Sequence, residues 1–200
     1  MNDVVSDEIR RYIDSTRKVI DSIRVTSPEG SLNRRLSDSY MEMIECYCND
    51  AVHFVASGEL VTAFAATSYI YGWVDCGARV GLFDIENSDR HFDLYRERLN
   101  LEVMMGVVTD AKIERYLDIS KRAMDKISPV SPARSFNKRL TESFSETIDT
   151  RYAEAVKLKE SGDNTSAFAT VNYAHGWIDC GARIGIFDVN GDDQLFTLYE

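Results

Sequence analysis

The chain has 200 residues, 44% hydrophobic and 28% charged, enough apolar material for one or two ordinary domains. This composition excludes a disordered chain, a collagen-like chain and a disulfide-stapled miniprotein. With 33 acidic against 23 basic residues the net charge is −10, the wrong sign for coating nucleic-acid phosphates.

The opening run, Met1 to Glu8, is acidic and lacks the basic and apolar regions of a signal peptide. No apolar run reaches the ~18 residues that cross a bilayer. A soluble, cytoplasmic protein is therefore expected, with no membrane partner. A first helix is predicted over Asp7 to Arg24, because Ile9, Tyr12, Ile13, Thr16, Val19, Ile20 and Ile23 recur at three- and four-residue steps. Val25 to Ser31 breaks it. A second helix starts near Ser27 or Ser31, either of which can cap it, with Pro28 suited to a first helical position, and it runs to Ser57. Gly58 ends it in the left-handed conformation that glycine adopts cheaply. A third helix spans about Glu59 to Gly81, and Asn87-Ser88-Asp89 is expected to cap a short fourth through Leu94-Tyr95. Gly106 to Asp110 forms a joint, with Thr109 or Asp110 capping the next helix. No strand is predicted.

Beyond that joint the chain starts again. Shifted by 104 positions it matches itself without a gap, and 37 of the 89 pairs from Glu8/Lys112 to Arg96/Glu200 are identical. The expected units are residues 1–104 and 105–200. The fold class is all-α, two tandem copies of a three- to four-helix bundle unit. Like units in one chain are expected to pack about a pseudo-two-fold axis, as the halves of a dimer do.

Identity concentrates in the third helix. Gly72-Trp73-Val74-Asp75-Cys76-Gly77-Ala78-Arg79 faces Gly176-Trp177-Ile178-Asp179-Cys180-Gly181-Ala182-Arg183 with one conservative change. Ala65, Tyr69, Trp73, Gly77 and Gly81 form one row, and Phe64, Gly72, Asp75, Cys76 and Arg79 a neighbouring face, so this helix is expected to be central. Glycine within a helix costs ~1 kcal/mol relative to alanine, so Gly72 and Gly77 imply close approach of a backbone, a ring or a ligand. Asp75 and Arg79, four apart, can pair along the helix or face a cleft beside Tyr69 and Trp73. The equivalent site in the second copy is Tyr173, His175, Trp177, Asp179 and Arg183. His175 stands where the first copy has Tyr71, so a site needing that histidine belongs to the second copy alone.

Other chemistry has little support. Cys46, Cys48, Cys76 and Cys180 form no CxxC pair, and a site of Cys46, Cys48 and His53 would need ligands from three directions. No phosphate-binding glycine loop and no nucleophile elbow occurs. No cofactor, metal or catalytic residue is expected. Arg34-Arg35 and Lys138-Arg139 open the second helix of each copy. They read as solvated charge or as a small anion-binding cluster.

The run from Ala167 to Asp188, with its Phe168-Ala169, Tyr173-Ala174-His175-Gly176-Trp177, Asp179, Gly181, Arg183, Gly185 and Phe187, resembles the signature of a mostly archaeal helical family, domain of unknown function 357. The Pro132 to Ser135 turn and the Gly162 turn fit as well. The first copy matches through Ala63-Phe64-Ala65, Tyr69, Gly72-Trp73, Asp75, Gly77, Arg79, Gly81 and Phe83, and departs at Tyr71. The resemblance implies a compact helical fold and an archaeal origin, and no activity. Two functions are then open: a non-catalytic module that binds a protein partner or itself, or a small-molecule binding protein or enzyme, with a nucleotide or phosphate among the candidate ligands and its site on the repeated helices. Burial of the aspartate and arginine side chains discriminates between them.

Overall fold

A computed structural model describes residues 2–86, 90–191 and 196. The chain divides into two compact units, Met1–Val108 and Thr109–Glu200. Unit 1 holds helices α1 (Asn2–Asp21), α2 (Leu32–Ala56), α3 (Leu60–Arg79), α4 (His91–Arg96) and α5 (Leu101–Met104). Unit 2 holds α6 (Asp110–Lys126), α7 (Phe136–Glu160) and α8 (Asn164–Arg183). The expected Asn87-Ser88-Asp89 cap lies outside the described residues.

In each unit three long helices pack pairwise, and the third is enclosed by the other two. Along α3 every residue from Ala63 to Gly77 is buried, and along α8 nearly every one from Thr165 to Ala182. Helix α1 instead presents one stripe, Val5, Ile9, Tyr12, Ile13, Thr16 and Ile20, to the core. Val5 extends that stripe by a turn, which is why α1 starts at Asn2 rather than Asp7.

Ser31 and Ser135 cap α2 and α7, each accepting from the backbone N–H three residues on at 3.0 Å. Pro28 is therefore not a first helical residue. It lies in the turn before the cap, and its carbonyl accepts from the Ser31 hydroxyl at 2.7 Å. Gly58 and Gly162 end these helices at φ +81° and +87°. Thr109 caps α6.

Helix α3 stops at Arg79, two residues short of the expected Gly81, because Gly81 turns the chain back. At φ +76° it donates to the Ala78 carbonyl while Leu82 donates to Gly77, a paired closure that glycine makes at low cost. The reversal delivers Phe83–Asp84 (β2) alongside Arg24–Val25 (β1) as a two-residue antiparallel ladder. Unit 2 repeats it with Ser128–Pro129 (β3) and Phe187–Asp188 (β4). These ladders correct the expectation of no strands. They also end α1 at Asp21, since Arg24 has to extend to meet Asp84.

Candidate functional site

The repeated segment forms the interior of each unit. Trp73 is 0% exposed and meets the Tyr40 ring edge-on at 4.8 Å; Trp177 meets Phe144 at the same distance. Tyr69 and Tyr173, one turn earlier, are buried against the same indoles at 6.2 and 6.4 Å. Gly77 and Gly181 explain themselves by the rings they admit. A Cβ on Gly77 would stand 2.3 Å from the Phe83 ring, and one on Gly181 2.3 Å from the Phe187 ring. Of the partners left open by the sequence for Gly77, the structure supplies an aromatic ring.

Asp75 is 4% exposed. Its carboxylate meets the start of α4: Oδ1 lies 3.3 Å from Nδ1 of the buried His91, and Oδ2 accepts from the Phe92 N–H at 3.4 Å. A carboxylate at a helix N-terminus is favoured by the unsatisfied amides there. Arg79, four residues on, is exposed. The structure thus places Tyr69, Trp73 and Asp75 inside unit 1 and Arg79 at its surface.

Unit 2 places Tyr173, Trp177 and Asp179 inside and leaves Arg183 partly exposed. His175 stands between core and surface, its side chain 16% exposed. Its Nδ1 is 3.2 Å from the Ser120 hydroxyl and its Nε2 3.9 Å from Asp179 Oδ2. Serine, histidine and aspartate together suggest nucleophilic chemistry, but the geometry is wrong for it. Ser120 is buried in the middle of α6, and 3.9 Å is too long for the hydrogen bond that would orient the imidazole. The set can hold or exchange a proton; it offers no open nucleophile.

Each unit therefore keeps a histidine beside the aspartate of its third helix, supplied from a different element. In unit 1 it is His91 of α4. In unit 2 it is His175 of α8, and the sequence has Leu195 at the position equivalent to His91. Comparing Tyr71 with His175 alone hides this exchange; the His91/Leu195 difference is the signal that would have revealed it.

Three cavities lined by described residues lie elsewhere. One of about 570 Å³ is bounded by Val4, Leu60, Val61, Val103, Met105 and neighbours; one of about 620 Å³ by the β3–α7 loop and one face of α7; one of about 220 Å³ by Arg17, Asp21, Glu45, Cys48 and neighbours. None includes a residue of the Tyr-Trp-Asp-Arg set. In the basic openings of α2 and α7, Arg34 pairs with Asp38 at 2.8 Å and Lys138 with Glu142 at 3.5 Å, while Arg35 and Arg139 are exposed. Cys46 is exposed and Cys48 buried, and all four cysteines are free thiols. Among the described residues no three His, Cys, Asp or Glu side chains converge to hold a metal ion, and no helix is long and apolar enough to cross a membrane.

No curated protein and no solved structure matches the chain. The model of one family, the protein of unknown function DUF357, matches twice, at residues 11–83 and 115–187. The two matches are 104 residues apart, the same spacing as the internal repeat, and each ends on the phenylalanine that fills the glycine notch. Together they cover more than half of the sequence, and the chain belongs to the DUF357 family as a tandem duplication of its domain.

Proposed function

We propose that this protein is a non-catalytic helical module of the cytoplasm that works by binding a protein partner or a second copy of itself. One observation carries the reading: the segment most alike between the copies is consumed in building each core. Its tryptophans and tyrosines pack the helices together and Asp75 latches α4, which leaves the outer helical faces to do the work. Those faces carry large apolar side chains at equivalent places, Leu32 at 79% and Phe136 at 78% exposure. The four free thiols suit a reducing compartment.

A thermal-shift screen against nucleotides, metabolites and metal ions tests the reading. A ligand at 100 times its dissociation constant adds ~2.7 kcal/mol of stability. The expected result is no stabilising ligand, with Asp179→Asn simply lowering the melting temperature. A stabilising ligand whose effect Asp179→Asn abolishes, while the unliganded protein melts as before, overturns it.

That outcome would favour the second reading, a small polar ligand held in unit 2 alone. The partial exposure of His175, against the sealed Tyr71, is the observation that supports it. Tyr173, His175, Trp177, Asp179 and Arg183 would be the residues concerned, with Tyr69, Trp73, Asp75 and Arg79 kept as scaffold.

A further inference from the structure

Among the described residues, the most exposed large apolar side chains fall at two kinds of place. Leu32 and Phe136, 79% and 78% exposed, open α2 and α7. Met105 and Val4, 78% and 59% exposed, line the cavity of about 570 Å³ in unit 1. None of the four builds a core, and each leaves apolar area in water that association would bury.

Leu32 and Phe136 are projections on a fixed base. Each follows the serine that caps its helix, and the hydroxyls of those serines donate to the Pro28 and Pro132 carbonyls at 2.7 and 2.8 Å. A side chain on a turn held this way has less freedom to lose on binding. Three residues on, along the same helix face, stand the exposed Arg35 and Arg139. The turn before Phe136 adds the exposed Arg134, whereas the turn before Leu32 carries Glu29. The cavity has the opposite character. Val4, Leu60, Val61, Val103 and Met105 make its apolar walls, and Glu102 is the one charged residue lining it. At the positions of Leu60 and Val61 the second copy has Asn164 and Thr165, so this apolar lining belongs to unit 1.

Resting on the module reading above, we infer that the cavity of unit 1 takes the projecting side chain of a second copy of this chain, Phe136 first and Leu32 second. Insertion buries an exposed apolar side chain against exposed apolar walls, and it brings Arg139 or Arg35 to Glu102. That basic flank locally reverses the net charge of −10 that otherwise holds copies apart. Phe136 leads because its ring buries more area and because its flank lacks the acid beside Leu32. Projection and cavity lie at different places, so the contact is head-to-tail, and further copies can add. One side chain in one cavity is a small contact, which sets the association in the weak range.

Sedimentation of the full chain from micromolar to near-millimolar concentration tests this. The expected result is an average mass that rises from 22.7 kDa with concentration and passes the dimer. Leu32→Ser with Phe136→Ser removes the projections; Val4→Gln with Met105→Gln spoils the cavity. All four side chains are exposed and the net charge is unchanged, so circular dichroism should be unaltered. Each double variant should associate at least about tenfold more weakly, and Phe136→Ser alone should cost more than Leu32→Ser alone. Mixed together, the two double variants should recover a complex of limited size, since one keeps the cavity and the other the projections. A mixture that stays monomeric while the wild type associates overturns the inference, because the wild type then joins through other surfaces. A wild type that stays monomeric throughout also overturns it, and the module reading then stands with a different protein as partner. A small-molecule ligand abolished by Asp179→Asn removes the module reading itself.

Discussion

Gly77 and Gly181 are fixed by contact rather than by conformation. Gly77 and Gly181 sit in helical backbone, where alanine would ordinarily be the better residue, yet each faces a phenylalanine at a distance no Cβ tolerates. Gly77→Ala should therefore destabilise unit 1 by about 1–3 kcal/mol, the range of an overpacked core. Adding Phe83→Leu should recover part of that loss, because the clash is with the ring; additive losses in urea denaturation would refute the contact. Arg134 is the reverse case. It carries a side chain at φ +67° where Gly30 stands in the first copy, so Arg134→Gly should raise stability by about 0.5–1 kcal/mol. An unchanged or lowered denaturation midpoint would show that its side chain compensates the backbone. The need for a small residue at Gly77 was legible in the sequence. Its cause was not, since Phe83 reaches the notch only through the reversal at Gly81.

Among elements, the three long helices were legible because apolar period, serine caps and terminal glycines agree. The two-residue ladders were not. Two residues have no period, and Arg24 and Asp84 pair across sixty positions of sequence. The repeated segment was legible as central but not as a site or a core, since only burial separates those readings. Helix α4 shows why the aspartate is kept in unit 1. Six residues make no stable helix alone. It is held by Asp75 at its start, by the buried Phe92, and by the Tyr95 hydroxyl, 2.9 Å from Thr67 Oγ1. Asp75→Ala removes the acceptor for the Phe92 amide and leaves His91 buried beside a void. Amides of α4 should then exchange with solvent at least tenfold faster, the consequence of losing ~1.4 kcal/mol or more of local stability, while those of α2 keep their protection. Equal acceleration in both helices would mean that Asp75 supports the whole bundle rather than this latch.

At the scale of the molecule, the described residues of the two units differ in the phenols around position 71 and its equivalent. Unit 1 gathers Tyr12, Tyr71 and Tyr95: Tyr71 stacks on Tyr95 at 4.5 Å and Tyr12 meets the same ring edge-on at 5.9 Å. Burial pushes Tyr71 up to about 12 and raises Tyr12 and Tyr95 as well, since ionising any of them would strand a phenolate in an apolar interior. In unit 2 the position of Tyr71 is taken by His175, and Tyr116 is only half-buried, its titration raised by burial too. A phenol whose folded value lies above its unfolded value of about 10 contributes its full stability below pH 10 and loses it as pH rises toward the folded value. For Tyr71 alone that difference amounts to about 2–3 kcal/mol. Unit 1 should therefore melt first as pH is raised from 10 to 12, with tyrosinate absorbance rising together with loss of its helical signal. Tyr71→Phe should lessen the slope of that alkaline limb without altering stability at pH 7 by more than about 1 kcal/mol, because the ring stays and only the ionisable hydroxyl leaves. A wild-type protein whose tyrosines all titrate near pH 10 before any helix is lost would mean that the cluster is open to water.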